Sequence, residues 1–211
     1  TPIEDILPVQ LPRDRTSLIH EGRYHPVLTE AGRYHPITRL STTPEDNRDA
    51  WAKLPQLSGL NTVRGVREGA SVLLAHPTHK VNGLFAPILL AQEMGRGRVV
   101  NVMTDSTWYW DFVAIGSGSD NRNYYKFWGN MIRWLIRDPS LRPLKITVDR
   151  DRYPLGVPVT AAVRVYGRNY KPAPGAAVTL TVAPSASGGK QVPEPVQTIN
   201  GKTTESGDFI A

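Results

Sequence analysis

The sequence predicts an α/β region followed by an all-β region, and three observations carry that reading. An almost continuous apolar run, Val99 to Met103, follows a Gly-Arg-Gly turn and stops at the cluster Asp105-Ser106-Thr107-Trp108-Tyr109-Trp110, as a strand covered on both faces would. Two helical patterns accompany it, one opening at Thr43-Pro44 and one running from Tyr124 to Leu135. Beyond Pro139 to Pro143 helical periodicity disappears, and period-two alternation with turn residues takes over. The expected division is an α/β domain over 1–142 and a β-domain over 143–211.

Each element has a local cause. Ile6 to Leu11 reads as a short strand, placed at an edge because Pro8 cannot donate to a ladder. The following loop holds a near-repeat, Glu21-Gly22-Arg23-Tyr24-His25-Pro26 and Ala31-Gly32-Arg33-Tyr34-His35-Pro36, too short to imply a repeat architecture. Thr43 is a helix N-cap with Pro44 in the first turn and Glu45 and Asp46 facing the dipole; this helix runs to about Lys53, with Ala50, Trp51 and Leu54 on one face. Strands follow at Asn61 to Val66 and Ser71 to Ala75, then a hairpin of Pro87 to Gln92 and Arg98 to Met103 turning at Glu93-Met94-Gly95-Arg96-Gly97. In the last helix Tyr124, Phe127, Trp128, Met131 and Leu135 form one apolar stripe, which Asp138-Pro139 ends.

In the second region Lys145 to Asp149, Val159 to Val165 and Ala177 to Val182 alternate as half-buried strands do. Their spacing, with turns at Tyr153 to Gly156 and Tyr170 to Gly175, is that of an immunoglobulin-like sandwich. From Ala183 the chain becomes rich in Ser, Gly and Pro, which reads as a long loop before the final strands.

Composition excludes several functions. The 211 residues contain no cysteine, so disulfides, thiolate metal sites and a cysteine nucleophile are absent from them. The net charge of +6 does not indicate nucleic acid, because the 25 basic residues are scattered and often alternate with acids, as in Asp149-Arg150-Asp151-Arg152. No apolar run approaches the roughly 18 residues needed to span a bilayer, and the opening residues lack a signal-peptide pattern. Gly207 to Ala211 reads as the opening of a strand, so the sequence is expected to belong to a longer chain.

Candidate site residues cluster after strands. Asp105 and Ser106, with Trp108 and Trp110 beside them, form either a polar floor with aromatic walls or a capped turn over core tryptophans. His76-Pro77-Thr78-His79 has the spacing of a metal-ligand pair but no linked third ligand, so no metal is assigned. His35, before Pro36, is a general-base type residue without an identifiable nucleophile. Gly116-Ser117-Gly118-Ser119-Asp120-Asn121 leads into the last helix and has the composition of an anion-cradling loop, but it lacks the P-loop lysine; no cofactor is assigned.

His35-Pro36-Ile37-Thr38-Arg39-Leu40, the Trp51 helix, Gly95-Arg96-Gly97-Arg98-Val99, Asp105-Ser106-Thr107-Trp108 and the helix from Phe127-Trp128 to Arg137-Asp138-Pro139 together resemble the later half of a class I glutamine amidotransferase-like domain. More narrowly they resemble that domain in large bacterial membrane-anchored proteins. The segment Asp149-Arg150-Asp151-Arg152-Tyr153-Pro154-Leu155-Gly156 is similar to the opening of macroglobulin-type sandwich domains, and the resemblance covers most of the chain. It implies a partial flavodoxin-like sheet with flanking helices, whose earlier strands would precede these residues.

In that family a cysteine on a strand-to-helix elbow works with a later histidine and glutamate. The best match to the late strand ends at Met103, and Thr104-Asp105-Ser106 follows it with neither. Without an imidazole the thiolate mechanism lacks its base. The expectation is a pseudoenzyme: a non-catalytic ligand- or protein-binding module of a bacterial cell-envelope protein, with ligand contacts at Asp105, Ser106, Trp108, His35 and His76. Its partner would be another protein or the preceding part of the parent chain, and its membrane attachment, on the periplasmic side, would lie in segments outside these residues. The alternative is an amidotransferase-like hydrolase with its nucleophile upstream.

Overall fold

The computed structural model describes residues 2–13, 19–154, 156–167, 170–184, 194 and 196–211. The chain divides into two compact units, Thr1–Leu141 and Arg142–Ala211. The first mixes helices with small sheets and the second is built of strands, and every strand pairing among the described residues is antiparallel.

The first unit opens with a short helix, α1 (Pro2–Ile6), which takes up Ile6, and of the strand expected over Ile6 to Leu11 only β1 (Val9–Gln10) forms. Next come β2 (Ile19–Tyr24) and β3 (Val27–Leu28), then helix α2 (Glu30–Tyr34) and a 3-10 turn at Pro36–Thr38. Helix α3 (Pro44–Ala52) begins as its sequence demands, with the Thr43 hydroxyl accepting the Asp46 N–H at 3.1 Å. Strands β4 (Leu57–Asn61) and β5 (Gly65–Val66) follow, so the expected strand at 61–66 is mostly loop; burial of Leu57 and Leu60 draws the pairing segment upstream.

The largest sheet is built from β6 (Ser71–Val81), β7 (Leu84–Met94) and β8 (Gly97–Val102), in the order β3-β6-β7-β8. The hairpin joining β7 to β8 turns where expected, at Gly95-Arg96, with Gly95 at φ +56°. The strand covered on both faces is β7, buried continuously from Ala86 to Ala91, whereas β8 is an edge strand and only half-buried. An apolar run thus marked the right sheet but the neighbouring strand. The segment His76-Pro77-Thr78-His79 does not follow a strand as a loop: β6 continues to Val81 and turns at Asn82-Gly83, both at positive φ, as a two-residue hairpin requires.

After β8 a 3-10 turn at Ser106–Trp108 runs into helix α4 (Tyr109–Gly116), which the sequence did not announce, and then α5 (Arg122–Leu135). Helix α5 buries Phe127, Met131 and Trp134; Leu135, assigned above to the stripe, is 37% exposed. The buried stripe is spaced i, i+4, i+7 from Phe127, sharing Phe127 and Met131 with the expected one and taking Trp134 in place of Leu135. Edge-to-face contacts among Trp51, Trp110 and Phe127, with ring centroids 5.3 to 6.0 Å apart, form the aromatic centre of this unit. Both indole N–H groups there are satisfied, Trp51 donating to Thr38 O at 2.8 Å and Trp110 to Pro55 O at 3.0 Å.

The second unit holds a three-stranded sheet, order β13-β10-β9, and a two-stranded one, β11-β12. Its strands are β9 (Leu144–Val148), β10 (Ala161–Val165), β11 (Ala177–Val182), β12 (Gln197–Lys202) and β13 (Asp208–Ile210). Phe209 of β13 lies directly on the backbone of Gly201 in β12, where a Cβ would fall 2.0 Å from the ring. Ala161 and Val163 alternate inward on β10 as expected, but all five residues of β9 are exposed. Alternation specifies which side chains share a face; it does not supply a layer to cover that face. The long loop expected from Ala183 falls largely outside the described residues, as does Leu155 of the expected Tyr153 to Gly156 turn. Asp149 and Tyr153 have a local role: the Tyr153 hydroxyl donates to the Asp149 carboxylate and accepts the Arg150 N–H.

Candidate functional site

Thr104, Asp105 and His76 meet around Tyr24. Two irregularities in the strands cause this. In β2, Glu21 and Gly22 together oppose Gly59 alone, a bulge made possible by Gly22 at φ +122°. In β6, His76 to His79 oppose only Ala86, between the pairs Ala75 with Pro87 and Lys80 with Phe85. The second bulge is held by the His76 imidazole, whose Nδ1 accepts the N–H groups of His79 at 2.8 Å and Thr78 at 3.2 Å.

The bulges bring three histidines together. His20 stacks on His79 with centroids 4.0 Å apart, and His76 meets His20 edge-on at 5.4 Å and Tyr24 at 4.4 Å. Burial, with the charges of its histidine neighbours, pushes His76 down to about 4, and His79 is lowered for the same reasons. Parallel stacking sets the His20 and His79 nitrogens side by side instead of aiming them at one point. Among the described residues no group of three or more His, Asp or Glu side chains converges so as to hold a metal.

Tyr24 is held in its phenol form by burial, and the nearby Asp105 carboxylate pushes in the same direction. Its hydroxyl donates to Gly59 O at 3.0 Å. Asp105 is exposed and makes no capping bond to the 3-10 turn it precedes. Ser106 is buried, with its Oγ 2.8 Å from the Thr104 hydroxyl and accepting the Ser58 N–H at 2.8 Å. That serine fastens β4 to the end of β8, and its oxygen is spent on the backbone.

The other two candidates lie apart from this group. His35 is 6% exposed, caps the 3-10 turn through Nδ1 to the Ile37 N–H at 3.3 Å, and packs on Trp134 at 5.1 Å. Burial, reinforced by the Arg98 and Arg39 guanidinium groups, lowers it to about 3, so it is neutral at physiological pH. Arg98 lies over Trp134 at 4.6 Å and donates to Trp134 O at 2.6 Å, tying β8 to α5. Trp108 is 47% exposed and rests against Tyr109 and Phe112, while its expected companion Trp110 is in the core. The motifs His35 to Leu40, Trp51, Arg98 and Phe127 to Trp134 therefore meet in one packed knot.

Open space lies elsewhere in the first unit. A cleft of about 790 Å³ is lined by Arg23, His25, Lys53, Tyr109, Ser119 and Asn123 together with apolar Leu54, Pro55 and Ala114. A second, of about 560 Å³, is lined by Val27, Leu28, Tyr34 and Trp51 and shares His25 with the first. None of the five sequence-predicted residues lines either cleft. The signal that pointed this way was the Gly116 to Asn121 loop, whose Ser117, Ser119 and Asp120 form part of the first rim. Its backbone does not cradle an anion, however: the N–H groups of Ser117, Gly118 and Ser119 bond back to Val113, Ile115 and Ala114 and end α4.

No family model matches this chain, and no curated protein matches it. Among the described residues no helix is long and apolar enough to cross a membrane.

Proposed function

We propose that the first unit is a non-catalytic binding module of a larger bacterial cell-envelope protein, a pseudoenzyme of the glutamine amidotransferase-like type. In this reading its sheet is the later part of a flavodoxin-like domain whose remaining strands belong to the parent chain. The second unit is an immunoglobulin- or macroglobulin-like domain serving as spacer or contact surface. The parent chain is attached to the membrane through segments outside these residues and faces the periplasm.

One observation carries the reading: three groups that acid–base chemistry would use, His35, His76 and Ser106, are committed to hydrogen bonds within the fold. His35 Nδ1 caps a turn, His76 Nδ1 holds a bulge, and Ser106 Oγ binds Ser58 N–H and Thr104. A general base needs a lone pair free to take a proton in reach of a nucleophile, and these pairs are engaged within the fold. What is open is the exposed Asp105 and Trp108 surface and the polar cleft.

The test is glutamine turnover by the full parent protein. Ammonia release at the buffer rate is expected; release above it that disappears on replacing one upstream residue would establish the hydrolase instead. Asp105→Ala is expected to weaken partner or ligand binding without altering the thermal midpoint, and unchanged binding would remove Asp105 from the site.

A further inference from the structure

The cleft between β2 and the α4–α5 loop has a chemical character that the histidine cluster lacks. Arg23, Lys53, Gln56, Tyr109 and Asn123 line it, and among the described residues no hydrogen bond or ion pair joins their side chains to another residue. Three other arginines of the first unit are engaged: Arg98 pairs with Glu93, Arg133 with Asp138, and Arg67 donates to Glu4 O and Val9 O; Arg23 faces the cleft without such a partner among the described residues. Two unpaired cations beside a concave surface set a positive potential at that wall.

The other lining residues narrow the ligand further. Leu54, Pro55, Val113 and Ala114 supply apolar contact, and Tyr109 offers both a ring edge and a free hydroxyl. The volume of about 790 Å³ lies within the usual range for small-molecule sites, roughly 300 to 1,000 Å³. The backbone N–H donors of the neighbouring loop, which would strengthen a phosphate site, are consumed in ending α4. Asp120 on that loop, already ion-paired to Arg122 at 3.3 Å, opposes a second negative charge entering from its side.

We propose that this cleft binds a small organic carboxylate, with Arg23 and Lys53 meeting the carboxyl group and Tyr109, Gln56 and Asn123 contacting a polar, uncharged remainder. The assignment rests on the reading of the first unit as a binding module and names its ligand class. The planar guanidinium of Arg23 suits bidentate pairing with a carboxylate, and Lys53 adds a point charge.

The experiment titrates the full chain, labelled with nitrogen-15, with four probes: 4-hydroxybutyrate, D-glucuronate, D-glucose and inorganic phosphate. Saturable shifts of cleft resonances are expected with glucuronate or 4-hydroxybutyrate at millimolar concentrations, with none from glucose and weaker ones from phosphate. A preference for glucuronate marks a sugar acid as the source of the carboxylate, and a preference for 4-hydroxybutyrate marks an aliphatic acid. Arg23→Ala and Lys53→Ala should each weaken binding about tenfold or more with the thermal midpoint unchanged, and Arg23→Lys should restore only part of it. Equal shifts from glucose, tighter binding of phosphate, absence of any saturable shift, or wild-type binding by Arg23→Ala/Lys53→Ala would each overturn the proposal. None of those results bears on glutamine turnover, which alone decides whether the module is catalytic.

Discussion

The pentapeptide Gly-Arg-Tyr-His-Pro occurs twice, at 22–26 and at 32–36, and its two copies adopt different structures. The first closes strand β2, with Gly22 in a bulge, Tyr24 buried, and Arg23 and His25 exposed toward the cleft. The second forms helix α2 and the cap of the next turn, with Gly32 and His35 buried and Tyr34 half-exposed. Neighbours decide the outcome. Thr29, just before the second copy, accepts the Gly32 N–H at 3.0 Å and anchors the helix start to β6 through Val72 O at 2.6 Å. No such cap precedes the first copy, which instead finds β4 as a ladder partner. The same five residues therefore place their arginine and histidine in an open cleft in one copy and their histidine in the core in the other.

The glycines should separate the copies most. A Cβ at Gly32 would lie 2.0 Å from Leu73 O, a backbone atom held in β6, so Gly32→Ala should cost about 3 kcal/mol or more. At Gly22 there is open space but φ is +122°, and Gly22→Ala should cost only about 1 kcal/mol, all of it backbone strain. Urea midpoints measure both, and equal losses would show that the close approach of α2 to β6 is not a constraint.

Acid should discriminate between the histidines. Folding lowers His35 to about 3 and His76 to about 4, so the neutral forms are favoured in the folded chain. Their stabilising contribution is fully present above the unfolded value near 6.5 and is lost as pH falls through the folded values. For His35 the loss between pH 7 and pH 4 should be roughly 3 kcal/mol. His35→Asn, which keeps a capping oxygen but does not titrate, should flatten the acid limb of a stability-against-pH curve, and an unchanged limb would show that His35 is not its source.

Smaller effects test the tyrosine and histidine of the first copy. Tyr24→Phe removes the bond to Gly59 O and should lower stability by about 1 kcal/mol while leaving the far-ultraviolet spectrum intact. His25→Ala should change stability by less than about 0.5 kcal/mol, because His25 is exposed and its side chain makes no hydrogen bond among the described residues. Its effect should appear instead in carboxylate titrations of the cleft.

Much of this architecture was legible locally. Thr43-Pro44 with its acids marks α3, the Phe127 to Met131 spacing marks α5, and the glycines at 95 and 97 mark the β7–β8 turn. Strand β6 was cut short at Ala75 because a proline and two histidines look like a loop, and a bulge of this kind is visible only when the opposing strand is known. The candidate site was legible only in part. His76 packs on Tyr24, on which the Asp105 carboxylate also acts electrostatically, and that placement depends on partners more than fifty residues away in sequence. His35 and Ser106 are polar residues of the type that serves catalysis, yet His35 accepts the N–H two residues ahead and Ser106 accepts that of Ser58, which only folding brings near.

Composition, caps, turn glycines and apolar periodicity are properties of a few adjacent residues, and they were enough to divide the chain into a mixed first region and a strand-built second one. Whether Gly-Arg-Tyr-His-Pro becomes strand or helix, which strand is covered on both faces, and whether a histidine titrates or stays neutral depend on desolvation and on hydrogen-bond partners far along the chain. Those terms arise only when the elements pack, because burial is a property of neighbours and not of the residue itself.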